Sequence, residues 1–178
     1  VDEQPHKANL EKIPQLRPAF AEGGTITPAN SSSISDGASA LLLASEDAAA
    51  NHGLMPRARI VAHTRNSLAP EDFTLAPIGA VEQVLAKAGW SASDVDLWEI
   101  NEAFAMVTML TTRALDLDPA CVNVHGGACA QGHPVGSTGS RIIVTLMHAL
   151  EHYGKQRGVA ALCIGGGEAT AVAIELVS

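Results

Sequence analysis

The chain has 178 residues, 47% of them hydrophobic and 17% charged, and a net charge of −8. That length holds one sizeable core with an appended piece, in an ordinary globular composition. The acidic balance argues against nucleic acid as the main partner, and no run approaches the roughly eighteen apolar residues that a membrane span needs.

In chain order, Val1 to Gly24 is polar and punctuated by Pro5, Pro14 and Pro18, which reads as an extended arm. Gly23 to Thr27 reads as a short strand, Pro28 to Asp36 as a Ser- and Asn-rich loop, and Ala38 to Leu43 as a buried strand or segment. Ser45 is placed to cap a helix over Glu46 to Asn51. A second unit starts near Met55 with a strand over Ala58 to Thr64. Pro77 then suits N1 of a helix whose apolar face is Ile78, Val81, Val84, Leu85 and Ala88, closed by Gly89.

The spacing further predicts a strand over Val95 to Ile100, a helix over Glu102 to Leu115 and a strand over Val122 to His125. Ile142, Ile143, Leu146, Met147 and Leu150 recur at helical spacing and Gly154 stands at a C′ position, so Gly139 to Tyr153 is a helix. Strands over Val159 to Cys163 and Thr170 to Val177 close the chain. Strands alternating with helices make an α/β fold, a mixed sheet covered by helices on both faces. The last two strands are joined by too few residues for a parallel crossover, so an antiparallel pair is expected there.

Two Gly-rich bends carry chemistry. In VNVHGGACAQGHPVGSTGSR a strand breaks into a turn that presents His133 just before a helix N-terminus, where N–H donors face an oxygen that gains charge. In LCIGGG the apolar strand ends at Cys163 and enters Gly165, Gly166 and Gly167, whose N–H groups no side chain covers. Taken singly, each residue has a plain structural reading. A cysteine at a buried strand end is usually an inert apolar filler, a turn histidine is usually satisfied by its neighbours, and Asn101 suits a helix N-cap. Together, a histidine and a thiol beside Gly-rich bends suit a site that moves protons and holds oxyanions.

These two runs and Asn101-Glu102-Ala103-Phe104 closely resemble, in order and approximate spacing, the three C-terminal signatures of the thiolases, the acyl-CoA acetyltransferases. The resemblance implies a thiolase-like fold, with residues 1–52 the returning end of the loop and N-terminal domains and 53–178 the C-terminal domain. It implies thiolytic cleavage of a 3-ketoacyl-CoA or condensation of acyl-CoAs, with coenzyme A as substrate and neither metal nor redox cofactor. Cys163 matches the acid/base cysteine, a role that a thiol serves when its site lowers its pKa modestly. His133 matches the histidine that activates the nucleophile and donates to the thioester oxygen. Asn101 matches the residue holding the water of that oxyanion hole, and Gly165 supplies an N–H to the second one. Ser32 matches a serine beside the CoA pantetheine. Implied partners are acyl-CoA, CoA, further copies in a dimer or tetramer, and an upstream N-terminal half carrying the nucleophilic cysteine, which neither Cys121 nor Cys129 replaces.

The rival reading from another class is a non-catalytic acyl-CoA or lipid-binding relative; the joint presence of His133, Cys163 and Asn101 weighs against it. Assembly of the chain with a separate N-terminal piece is a third. His125, Cys129 and His133 invite a zinc reading, but Gly-rich backbone does not gather them on one helical face and no fourth ligand lies nearby. Departures from the family pattern lie at His125, at Cys129, Ala130 and Gln131, at Glu168 and Ala169, where a charge near the site and a stiffer bend are expected, and at Ala29 and Ser33. They bear on acyl-chain preference. The odd count of three cysteines, in or beside apolar strands, and the absence of a signal-peptide pattern within this sequence suggest a cytoplasmic setting.

Overall fold

In the computed structural model, His6 and residues 8–177 are described. The sheet has four strands in the order β1 (Ala58–Ser67), β4 (Glu168–Leu176), β3 (Arg157–Ile164), β2 (Leu97–Ile100). β1 with β4 and β4 with β3 are antiparallel, whereas β2 runs parallel to β3. The mixed sheet and the antiparallel closing pair are as the sequence predicts. The helices are α1 (Glu46–Asn51), α2 (Ala76–Ala88), α3 (Ala105–Ala114), α4 (Ala128–Gln131) and α5 (Thr138–Tyr153).

Alternation along β3 divides the core in two. Val159 and Ala161 join the cluster of Val81, Val84 and Leu85 from α2, together with Trp98 and Ile100. Ala160 and Leu162, one residue out of phase, join Ile142, Leu146 and Leu150 from α5, together with Leu97. A strand has period two, so successive residues serve opposite helices, and each large buried side chain contributes about 1.5–3 kcal/mol. The small strand residues let α5 lie close: a Cβ on Gly158 would come within 2.7 Å of Leu146 Cδ1. Both long helices end as their glycines predict, in left-handed caps at Gly89 and Gly154.

Several expectations are corrected. Gly23 to Thr27 forms no strand. The segment Ala38 to Leu43 is neither a strand nor buried: Leu42 is 82% exposed and Leu43 71% exposed, and no strand among the described residues pairs with it. β2 begins at Leu97 rather than Val95, because a 3₁₀ turn over Ala92–Asp94 precedes it. Val122 to His125 is a turn touching β2 through a single Trp98–Val122 bridge. Here Asn123 adopts φ +48° and its side-chain amide takes the place of a strand neighbour. Its Oδ1 accepts from Ile100 N at 2.8 Å and its Nδ2 donates to Ile100 O at 2.9 Å. A polar side chain satisfies the edge of β2 where the sequence pattern placed a fifth strand.

Candidate active site

Parallel β2 and β3 bring their carboxyl ends to one side of the sheet, where α/β folds place their ligands. Asn101 follows β2 directly and donates its backbone N–H to Ala161 O of β3 at 2.9 Å. Two residues beyond Ala161, Cys163 sits 7% exposed, paired with Ala169 of β4. The strand then turns through Gly165, around which a Cβ would meet nothing within 4 Å.

The Ser-rich loop is what joins the remaining parts. Ser32 donates to Ala103 O from both its N–H (3.2 Å) and its hydroxyl (2.9 Å), and Ser31 forms an antiparallel bridge to Phe104. On its far side Ile34 bridges His133 in parallel, and His133 N donates to Ser33 O at 2.9 Å. Ser32, Asn101 and His133 therefore lie around one short segment. Gly139 packs on Leu162, which sets the start of α5 against the end of β3. The loop thus links Ser32 and His133 to the turn after Asn101, and Cys163 and Gly165 lie in and just beyond the end of the neighbouring strand β3.

His133 is oriented by its own helix. Its Nδ1 lies 2.7 Å from Thr138 Oγ1, and that hydroxyl donates to Pro134 O at 3.0 Å. With its one proton spent on the carbonyl, the hydroxyl accepts from Nδ1–H, which leaves Nε2 as the basic nitrogen. Burial, and then the nearby Arg141 cation, hold the imidazole below its ordinary pKa, so it is neutral near pH 7.

The thiols differ from the sequence expectation. Burial pushes Cys163 upward, not downward, and a backbone hydrogen bond offsets only part of that desolvation. Cys129 is pushed to about 12 by burial and by Glu102. Glu102 is itself held by the Cys129 backbone N–H at 3.0 Å. Glu168 opens β4 opposite Ile164, and Ala169 is a fully buried strand residue beside Cys163 rather than part of the bend. Among the described residues no group of three or more His, Cys, Asp or Glu is arranged to hold a metal ion.

Four participants escaped the sequence reading: Thr138, Glu99, Glu102 and Arg141. Thr138 and Glu102 stand inside the Gly-rich run and the Asn101 to Phe104 motif with no chemical role of their own assigned. Glu99 is a carboxylate inside a strand buried along its whole length, and Arg141 is a cation in the first turn of α5, where the helix dipole disfavours it. Glu99 and Arg141 each break a local rule, and that is the signal they offered.

A histidine held below its ordinary pKa, a buried thiol pushed upward and a buried side-chain amide therefore stand in or beside the turns that follow β2 and β3. Residues 54–176 match the family model of the thiolase C-terminal domain, and residues 1–47 match that of the thiolase N-terminal domain. The chain belongs to the thiolase family. It is 49% identical to a probable acetyl-CoA acetyltransferase of Dictyostelium discoideum over 98% of its own length and 42% of the relative's. It is also 49% identical to the cytosolic acetyl-CoA acetyltransferase of Mus musculus, covering 45% of that protein. Among solved structures it is similar to the Bacillus anthracis acetyl-CoA acetyltransferase, with a TM-score of 0.94, 42% identity, and coverage of 99% of this chain and 45% of that one. It is likewise similar to human mitochondrial 3-ketoacyl-CoA thiolase in complex with CoA, with a TM-score of 0.88, 40% identity, and coverage of 96% and 43%. The chain spans less than half the length of the curated relatives it matches.

Proposed function

We propose that this chain supplies the proton-transfer and oxyanion-holding half of a thiolase-type acyltransferase. The observation that carries the reading is that the segment around Ser32 ties the turn after Asn101 to His133, whose Nδ1 is engaged by Thr138 and whose imidazole is held below its ordinary pKa. In thiolysis His133 Nε2 takes the proton of a cysteine thiol supplied by the upstream half. That thiolate attacks the 3-keto carbon, the C2–C3 bond breaks, and Cys163 protonates the acetyl-CoA carbanion. The Cys163 thiolate then takes the proton of incoming CoA, whose sulfur removes the acyl group from the nucleophilic cysteine. Condensation runs the same steps backwards.

His133, once protonated, and Asn101 with its water stabilise the enolate-like thioester oxygen; Gly165 N–H serves the second oxyanion hole, and Ser32 lies along the pantetheine. A thiol raised by burial stays protonated at neutral pH, as its first task requires. We assign residues 1–52 and 53–178 to the parts of the two thiolase domains, with CoA and acyl-CoA as partners and a dimer or tetramer as the working assembly. Among the described residues no helix is long and apolar enough to cross a membrane, and the reading places the protein in a reducing compartment.

The test uses the full-length protein with acetoacetyl-CoA and CoA. Cys163→Ser and His133→Ala are expected to abolish turnover in both directions while leaving the fold intact, and the isolated chain is expected to be inactive. A binding module would tolerate both substitutions, and unchanged turnover in either variant would sink the proposal.

A further inference from the structure

The chemistry assigned above asks Asn101 to present one particular end of its amide. Asn101 is 2% exposed, and its Nδ2 has no hydrogen-bond partner among the described residues. Its Oδ1 faces Arg141 Nη2 at 3.4 Å. A guanidinium only donates, so the amide atom facing it has to be the oxygen, and the NH₂ is directed the other way. An amide free to rotate by 180° presents its donor and its acceptor about equally; beside Arg141 it presents the donor alone.

Arg141 occupies its position at a cost. It lies in the first turn of α5, at the positive end of the helix dipole, with a side chain only 18% exposed. Its Nε and Nη1 have no hydrogen-bond partner among the described residues. The compensating charge is Glu99, 2% exposed, whose Oε2 lies 3.9 Å from Nη1. Glu99 shares the α5-facing side of β2 with Leu97, since residues two apart in a strand point the same way. A guanidinium and a carboxyl carried into a buried site, neither well hydrogen-bonded, are poor stabilisers of a fold and point to a task at the site.

We propose that Arg141, countered by Glu99, is the positioning residue of the oxyanion site: it fixes the Asn101 amide with Nδ2 toward the reacting oxygen and keeps a positive charge near His133. This role rests on the thiolase reading. Arg141 does not touch the reacting atoms and acts through Asn101 and His133. The charged groups acting on this cluster are Arg141 from α5, Glu99 from β2 and Glu102 from the loop after β2; Cys129, whose backbone N–H holds Glu102, Cys163 of β3 and Glu168 of β4 are further titratable groups at this end of the sheet.

The experiment measures turnover of acetoacetyl-CoA by the full-length protein against pH, for wild type, Arg141→Met, Arg141→Lys, Asn101→Ala and Asn101→Ala/Arg141→Lys. Arg141→Met is expected to lower kcat by about 10²-fold, the scale of a misplaced catalytic group, with KM within a factor of about two. Without the cation, His133 rises toward its ordinary value, so the acid limb of kcat/KM moves to higher pH. Arg141→Lys keeps the limb in place but loses kcat, because an ammonium lacks the planar fork that fixes the amide. In the Asn101→Ala background Arg141→Lys is expected to cost nothing further. Equal losses from Arg141→Lys with and without Asn101 overturn the role even if Arg141→Met does not fold. A wild type without turnover overturns the thiolase reading and this role with it, whereas an active wild type with a normal Arg141→Lys variant overturns the role alone.

Discussion

The backbone N–H of His133 donates to the carbonyl of Ser33 at 2.9 Å, so the histidine is held by a loop a hundred residues upstream as much as by its own helix. The same loop reaches Ala103 through Ser32. The separation of Asn101 from His133 is therefore set by one strand-like segment wedged between two turns.

Gly37 tests how closely that loop fits. A Cβ there would stand 2.8 Å from both Cβ and Cγ of Pro134, the residue next to His133. Gly37→Ala is expected to push the loop off the histidine turn, costing about 1–3 kcal/mol in overpacking strain and lowering kcat of the full-length protein more than that loss of stability accounts for. Urea unfolding and steady-state kinetics on one preparation check it. A variant with normal kcat would mean that the loop does not set the position of His133.

Thr138 is 1% exposed and holds His133 Nδ1 at 2.7 Å. Thr138→Val keeps the shape and removes the acceptor. The variant loses this bond and the one that the hydroxyl donates to Pro134 O, at about 1 kcal/mol of stability each. The larger effect is expected on chemistry, since either nitrogen can then carry the proton and the ring loses its anchor: kcat falls by about ten-fold or more with KM nearly unchanged. Equal kcat in wild type and variant would rule out Thr138 as the residue that sets the tautomer.

Much of this was legible beforehand, and the failures share a cause. The helices over Ala76–Ala88 and Thr138–Tyr153 announce themselves by apolar spacing and terminal glycines, and His133, Cys163 and Asn101 are singled out by the resemblance of the runs around them to the thiolase signatures. Misread segments are those whose structure depends on distant partners. Val122 to His125 has the apolar alternation of a strand, but the Asn123 side chain occupies the edge of β2 that backbone would have filled. Ala38 to Leu43 has the apolarity of a buried strand but no strand partner among the described residues, and it is held instead by the Ser39 hydroxyl, 2.7 Å from Ser137 Oγ and 2.6 Å from Ser140 Oγ. The upward push on Cys163 was not readable either, because a thiol's pKa depends on what surrounds it in three dimensions and not on the glycines that follow it.

Thiol reactivity gives a direct reading of those environments. Burial raises Cys163, and burial with the neighbouring Glu102 carries Cys129 to about 12. The thiolate is the reactive form, so both are expected to resist iodoacetamide at pH 7.5 in the native protein. Cys129 should stay unmodified even at pH 9. Peptide mass mapping after timed exposure, with urea-unfolded protein as the control, checks this; rapid native labelling of Cys129 at neutral pH would show that its site is far more open.

Glu99 makes stability depend on pH with a sign that can be worked out. Burial raises its carboxyl from 4.5 to about 7, against the attraction of Arg141 and with some help from Glu102. Between those values the folded protein binds a proton that the unfolded chain does not, so this contribution is fully present below about pH 4.5 and is lost as pH rises through about 7. Its full size is on the order of 3 kcal/mol. His133 has the opposite sign: its folded value is depressed, so below its ordinary value the unfolded chain takes up the proton, and stability rises with pH across that interval. The two slopes oppose each other in wild type, which is why the informative quantity is a difference. Glu99→Gln removes one slope and keeps the other, so the stability of the variant relative to wild type should climb steadily between about pH 5 and pH 8. The offset of that curve also carries the loss of the counter-charge to Arg141, but the climb does not depend on it. Urea midpoints measured at half-unit pH steps give the curve directly. A flat difference would show that Glu99 is ionised throughout, paired with Arg141 more tightly than their 3.9 Å separation indicates.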